Sequence, residues 1–359
     1  MKTWWIPVVT LAILASLSAS AWIPAQSIWR WKLSLATLEL GHWLCLAALL
    51  SGAWLLLGSP RWIGLVGALT GLILTCVLLI PALQAQSLTP TFSWAALWTS
   101  PGSRDAVMME TTAPGLRLVT FRPKNIEKPL PWIVLFHSGG WEGGDPAEFA
   151  EWNLDLASEG VIILCPAYRL APQHQWPAPE EDALAVIQWA RSQSAELGLD
   201  PERLHLMGRS AGAQIASATA FQHPELNVKG LISFYGPADM RFARTYAYED
   251  DILNSLKLLR QYLGGDPEEA PQNYSTASAI DFIGQETPPT LLLHGDRDTL
   301  VWSRQSERLA AALEKEGRQV TFLRLPWAVH ACDYFPGSPA AQIAKAGVVQ
   351  FLGLPQPGK

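Results

Sequence analysis

The sequence predicts an α/β protein, a doubly wound and mainly parallel sheet, preceded by an N-terminal membrane-spanning helical region. Three observations carry that expectation. Charged side chains are almost missing from the first hundred residues. After residue 105, short continuous apolar runs alternate with helical patterns. A Gly-x-Ser-x-Gly step then falls where one of those runs meets a helix.

The chain has 359 residues, of which 49% are hydrophobic and 16% charged, a composition that excludes a disordered or solvating chain. With 26 Lys+Arg against 32 Asp+Glu it lacks the basic excess of a nucleic-acid binder. The cysteines, Cys45, Cys76, Cys165 and Cys332, are scattered and form neither a CxxC metal site nor a disulfide framework.

Residues 1–103 carry only Lys2, Arg30, Lys32, Glu39 and Arg61 as charged groups, and hold ten of the 17 tryptophans. Three apolar runs, residues 4–25, 33–57 and 62–83, each reach the 20 or so residues needed to cross roughly 30 Å of hydrocarbon. Trp4, Trp5, Trp22, Trp29, Trp31 and Trp62 lie near the run ends, where indole rings settle between headgroups and acyl chains. Gly67 and Gly71 form a GxxxG step suited to helix–helix contact. The first run also fits a signal peptide, with Lys2 ahead of it and Ala19-Ser20-Ala21 as a cleavage site. Glu39 and His42 share a helical face; deep in a membrane they would be functional, whereas a span starting near Leu40 leaves Glu39 at the interface. Residues 81–103 contain no Lys or Arg, which favours an extracytoplasmic domain after them. Residues 84–104, rich in Ser, Thr and Pro and ending in Pro101-Gly102-Ser103-Arg104, read as the linker to a domain over 105–359.

Within that domain, residues 116–122 alternate as a first strand, and 132–137 and 161–165 are continuous apolar runs, as in strands buried on both faces. Residues 179–197 read as a helix with Ala183, Ile187 and Ala190 on one face. A strand over 204–207 runs into a small-residue helix over 210–222. Further strands fall at 231–235, 290–294 and 319–325, with a helix to Glu316 that Ser303 can cap. Residues 237–283 are long enough for a lid.

In such sheets ligand chemistry gathers at the carboxyl ends of the strands. Gly208-Arg209-Ser210-Ala211-Gly212 sits at one, and a serine on so tight a strand-to-helix turn has its hydroxyl pushed above the sheet. A serine hydroxyl needs a base, and the base an orienting acid; in this fold the chain order is Ser, then Asp or Glu, then His. Of the seven histidines only His330 follows the best acids; His294 sits at a strand end before them and His223 follows the serine by one helix. Asp298 leads as the acid, with Asp296 and Asp239 as alternatives. Gly139 and Gly140, after the strand ending near His137, join the amide of Ala211 as candidate donors to a developing oxyanion. His137 and Trp141 are candidates for lining the substrate pocket.

His137-Ser138-Gly139-Gly140-Trp141, Gly143-Gly144-Asp145, Pro166-Ala167-Tyr168-Arg169-Leu170-Ala171-Pro172, Trp176-Pro177-Ala178, Glu181-Asp182, Gly208-Arg209-Ser210-Ala211-Gly212 and His294-Gly295-Asp296-Arg297-Asp298 together resemble the α/β-hydrolase esterases. Among these the chain is similar to the hormone-sensitive-lipase-like and feruloyl-esterase-like carboxylesterases over about residues 105–355. The resemblance implies the α/β-hydrolase fold, Ser210 as nucleophile, His330 as base and Asp298 as the acid. It further implies an oxyanion hole at Gly139, Gly140 and Ala211. The chain departs from the family pattern at Ser138, where glycine is usual.

The expected function is therefore that of a membrane-anchored serine carboxylesterase working through an acyl-enzyme on a small-molecule or lipid-like ester. The same triad would serve amide or thioester hydrolysis, and a non-catalytic scaffold with a membrane role is a further alternative. No metal, nucleotide or flavin motif is present, so no cofactor is expected, and no nucleic-acid partner. The bilayer is the expected partner; oligomeric state is left open.

Overall fold

The computed structural model describes residues 4–99 and 105–355. Lys2 and the Pro101-Gly102-Ser103-Arg104 end of the expected linker lie outside the described residues. The chain divides into two compact units. The first gathers Met1–Ser100 with Gly295–Thr299 and Leu325–Ile343; the second holds Pro101–His294, Leu300–Arg324 and Ala344–Lys359. Two segments from late in the chain thus belong to the same compact unit as the N-terminal helices.

The first unit contains helices α1 (Trp5–Ala21), α2 (Ile28–Glu39), α3 (Gly41–Gly58), α4 (Arg61–Leu78) and α5 (Ile80–Leu88). The expected run 33–57 is thus broken at Leu40, so the long apolar helix starts beyond Glu39. At that break a side chain on Gly41 would strike the Leu78 carbonyl, its Cβ lying 2.3 Å from the oxygen. The run 62–83 is interrupted at Leu79, just ahead of Pro81, whose ring removes an amide donor and disfavours an uninterrupted helix. Helix then continues to Leu88, so residues 84–88 are helical rather than linker. Gly41–Gly58 and Arg61–Leu88 are long and apolar enough to cross a membrane, while α1 has 17 residues. The GxxxG step works as expected: Cβ atoms on Gly67 and Gly71 would lie 2.4 Å from Leu55 Cδ1 and 2.7 Å from the Ala48 carbonyl oxygen, so α3 and α4 pack backbone to backbone.

The second unit is built on strands β1 (Ala106–Thr112), β2 (Arg117–Pro123), β3 (Leu130–Phe136), β4 (Ile162–Pro166), β5 (Leu199–Arg209), β6 (Gly230–Phe234), β7 (Thr290–Gly295) and β8 (Val320–Leu325), in the order β1-β2-β4-β3-β5-β6-β7-β8. β2 is antiparallel to both neighbours, whereas β4, β3, β5, β6 and β7 run parallel. β4, β6 and β7 are buried at every residue, as their continuous apolar sequences require. The strand at 116–122 proves to be second; β1 precedes it as an exposed edge, its Glu110 paired across to Arg117 at 2.8 Å.

Helices α6 (Ala150–Ser158), α7 (Ala178–Ser192), α8 (Ser194–Leu197), α9 (Ala211–Gln222), α10 (Met240–Tyr246), α11 (Ser255–Leu263), α12 (Pro271–Thr276), α13 (Arg304–Lys315) and α14 (Pro339–Phe351) complete the chain. Ala183, Ile187 and Ala190 are fully buried on α7, as their spacing predicts. That helix ends earlier than expected, and a short turn of helix follows to Gly198, which adopts φ +74. Ser303 does not cap α13 through its side chain, since its backbone is already helical (φ −56, ψ −20). Residues 237–283 form α10, α11 and α12 rather than a bare loop.

Candidate active site

Ser210 stands between the last residue of β5 and the first of α9 with φ +54 and ψ −120, a conformation that costs a non-glycine residue on the order of 1–3 kcal/mol. The corner is held from below: the Ser210 amide donates to the Phe234 carbonyl of β6 at 2.9 Å. Its flanking glycines are required by contact. A Cβ on Gly208 would lie 2.2 Å from the Gly212 carbonyl oxygen, and one on Gly212 would lie 2.2 Å from that of Phe136. Behind the serine, the buried Arg209 guanidinium lies over the rings of Phe149 and Trp152 at 4.3 and 4.6 Å and donates to Asn153.

Gly139 and Gly140 follow β3 with φ +121 and +61, and the turn is closed by the Gly143 amide donating to the Gly139 carbonyl at 3.1 Å. Glu148 anchors this turn: its carboxylate accepts from the Ser138 amide at 2.5 Å and from the Ser138 hydroxyl at 3.0 Å. The departure at Ser138 therefore has a partner that the sequence reading missed, since nothing local links residues ten apart in a loop. Tyr168 adds a second tether, its hydroxyl donating to the His137 carbonyl at 3.0 Å. Ala211, the third expected oxyanion donor, is the first residue of α9, where helix amides lack intrahelical acceptors.

The two candidate pocket residues are both buried. His137 stacks on Tyr168 with centroids 4.2 Å apart, and its Nδ1 lies 2.7 Å from the Ser138 carbonyl oxygen; burial pulls its pKa below the usual imidazole value. Trp141 stacks on Tyr262 at 4.5 Å and donates its indole N–H to Gln214, which also accepts from the Tyr262 hydroxyl. Only 7% of Trp141 is exposed, so most of the ring serves packing.

Asp298 and His330 meet in the first unit. The Nδ1 of His330 lies 2.6 Å from Asp298 Oδ2, and both side chains are buried. The rival acid Asp239 is otherwise engaged: it caps α10 through the Phe242 amide at 2.8 Å and pairs with Arg308 at 2.7 Å. His294 is fully buried, with Nδ1 2.7 Å from the Ser306 hydroxyl and Nε2 2.9 Å from the Val301 carbonyl. Both its nitrogens are occupied. Ser210, Gly139, Gly140, Ala211, His137 and Trp141 belong to the second unit, Asp298 and His330 to the first. Among the described residues no group of three or more His, Cys, Asp or Glu side chains is arranged to hold a metal ion.

The BD-FAE family model matches residues 118–313, which include both the Ser210 corner and Asp298. The chain is similar to LipM of Mycobacterium tuberculosis, a probable carboxylic ester hydrolase, with 30% identity over 236 residues, or 62% of this chain and 54% of LipM. It is 28% identical over 247 residues to a probable isoprenylcysteine alpha-carbonyl methylesterase of Arabidopsis thaliana, covering 63% of this chain and 50% of that protein. The chain spans about half the length of these curated relatives. Among solved structures, a fungal esterase of Rhizomucor miehei superimposes with a TM-score of 0.62 at 23% identity, covering 72% of this chain and 86% of that one. A hyperthermophilic esterase of Pyrobaculum calidifontis gives 0.59 at 23%, covering 74% and 92%.

Proposed function

The chain belongs to the BD-FAE family and carries the α/β-hydrolase fold, and on that premise we propose that it is a membrane-anchored serine carboxylesterase. The observation that carries the reading is Ser210 held at positive φ between Gly208 and Gly212, where an added Cβ would lie 2.2 Å from a backbone oxygen. Strain of that kind persists where a side chain must be presented in one direction.

In this reading His330 is the base that takes the Ser210 proton as Oγ attacks the ester carbonyl carbon. Asp298 accepts the His330 Nδ1–H bond, fixing the ring and stabilising the imidazolium. The carbonyl π pair moves onto oxygen, and the amides of Gly139, Gly140 and Ala211 hold that oxyanion. As the C–O bond to the alcohol breaks, His330 returns the proton to the leaving oxygen. Water then attacks the acyl-enzyme by the same route, releasing acid and free Ser210. The likeness to LipM and to the plant methylesterase supports a small-molecule carboxylic ester as substrate.

The membrane role rests on Gly41–Gly58 and Arg61–Leu88, each long and apolar enough to span. Their exposed faces carry Trp43, Leu50, Trp54, Leu57, Trp62 and Leu65, side chains suited to lipid. We place the catalytic domain outside the cytoplasm, since no Lys or Arg occurs in residues 81–103; protease accessibility in spheroplasts tests that side. The enzymatic test is p-nitrophenyl ester turnover by the detergent-solubilised full chain. Ser210→Ala and His330→Ala are each expected to lose at least about a thousandfold in kcat while remaining folded. Near-normal turnover in either variant refutes the assignment.

A further inference from the structure

Glu39 is a fully buried carboxylate, and it lies nowhere near the catalytic residues in sequence. Its Oε1 accepts from the Trp327 indole N–H at 3.1 Å and its Oε2 from the Ala340 amide at 3.0 Å. The Ser338 hydroxyl bonds to it as well. Trp327 lies three residues before His330 and Ala340 ten after it. One carboxylate therefore closes both ends of the segment that carries His330.

A second residue of the same helix grips that segment at His330. Trp31, two helical turns before Glu39 on α2, donates its indole N–H to the carbonyl of His330 itself at 3.1 Å. The chain turns sharply there, with Ala331 at φ +59. The acid side is tied to the same region: the guanidinium of Arg297, next to Asp298, donates to the Trp22 carbonyl and lies 4.9 Å over the Trp22 ring.

Simple packing does not call for a carboxylate here. Burial opposes the ionised form and, with Asp333 adding repulsion, outweighs the pull of its donors, so the Glu39 pKa is pushed up to about 7. What a two-oxygen acceptor supplies, and an apolar side chain does not, is a fixed direction for two N–H groups at once.

We propose that Glu39 and Trp31 are positioning residues for the catalytic base, so that the N-terminal helices frame the His330 segment instead of serving only as an anchor. The proposal rests on the reading of His330 as base. The fold context gives it consequence: α2 runs through a one-residue break at Leu40 into α3, a candidate membrane span, so the setting of the base is mechanically continuous with the membrane region.

The test uses the full chain in detergent, with Glu39→Gln and Trp31→Phe beside His330→Ala. Gln keeps one acceptor oxygen but turns an NH2 towards the second donor, and Phe keeps the ring without its N–H. Active sites are titrated with a fluorophosphonate, and kcat is expressed per titrated site. Both variants are expected to lose about tenfold to a hundredfold in kcat per site, as small misplacements of a catalytic group do. KM should stay within about twofold and the melting midpoint within about 5 °C. Unchanged kcat per site overturns the proposal, whether or not the number of sites falls, because fewer sites at full activity mean a purely structural role. Turnover surviving in His330→Ala would instead overturn the reading of the base itself, and the proposal with it.

Discussion

The turn at Gly139-Gly140 offers a sharp mutational contrast, because two adjacent glycines face opposite surroundings. At Gly139, φ is +121, and an added Cβ would lie 2.2 Å from the Gly143 carbonyl oxygen, 2.5 Å from its carbon and 2.8 Å from the Gly144 nitrogen. All three are backbone atoms, so no rotamer relieves them. Alanine there must open the turn that the Gly143 amide closes on Gly139, at a strain of about 1–3 kcal/mol, and in doing so swings the amides away from the oxyanion. Loss of one such donor typically costs about 100- to 1000-fold in kcat. At Gly140, φ is +61 and the nearest atom to an added Cβ is Leu258 Cδ1 at 3.2 Å, the end of a movable side chain. Alanine in that left-handed region costs roughly 1–2 kcal/mol of stability. Steady-state kinetics on p-nitrophenyl butyrate should therefore show Gly139→Ala down by at least about 100-fold in kcat and Gly140→Ala within about tenfold of the parent. The reverse order, or a Gly139→Ala enzyme within threefold of the parent, refutes the oxyanion assignment.

Asp298→Asn should lower kcat by about a thousandfold or more, whereas Asp239→Ala should cost about 1 kcal/mol of stability as a lost cap and keep turnover; a reversed pattern would move the acid. Glu148→Gln retains one acceptor for the two Ser138 donors and is expected to lower kcat about tenfold with KM little changed, against no effect if the tether is irrelevant. A pH effect on stability follows from His205. Burial holds its imidazole down at about 4 from the usual 6.5, so the stability it contributes is complete above pH 6.5 and is lost as pH falls through 4. That gap corresponds to about 3 kcal/mol. Urea unfolding at pH 7 and pH 4 should show the parent losing about that much more than His205→Phe; parallel losses contradict it.

What was legible in the sequence was set by local pattern. β4, β6 and β7 announce themselves because strands buried on both faces must be apolar at every position. Ser210 is legible because its flanking glycines are forced by contacts within one turn. β1 was missed for the opposite reason: an exposed edge strand reading Ala-Val-Met-Met-Glu-Thr-Thr has no face to bury and so shows no alternation. The break at Leu40 was half-legible, since charge ends at Glu39 and a span could start beyond it, whereas the one at Leu79 lies inside a continuous apolar run with only Pro81 beside it. Least visible was Glu39, which sequence reading could place only in a membrane or at its surface. Its partners lie 288 and 301 positions away, and no periodicity reaches that far. Glu148, ten residues from Ser138, failed to show for the same reason on a smaller scale.

The central claim is that His330 deprotonates Ser210. Treating the solubilised full chain and its His330→Ala variant with a fluorophosphonate, and mapping the adduct by peptide mass, tests it directly. The adduct should sit on Ser210 in the parent and form at least about a thousandfold more slowly in the variant. An adduct on another residue, or labelling of Ser210 at the same rate without the imidazole, would contradict it.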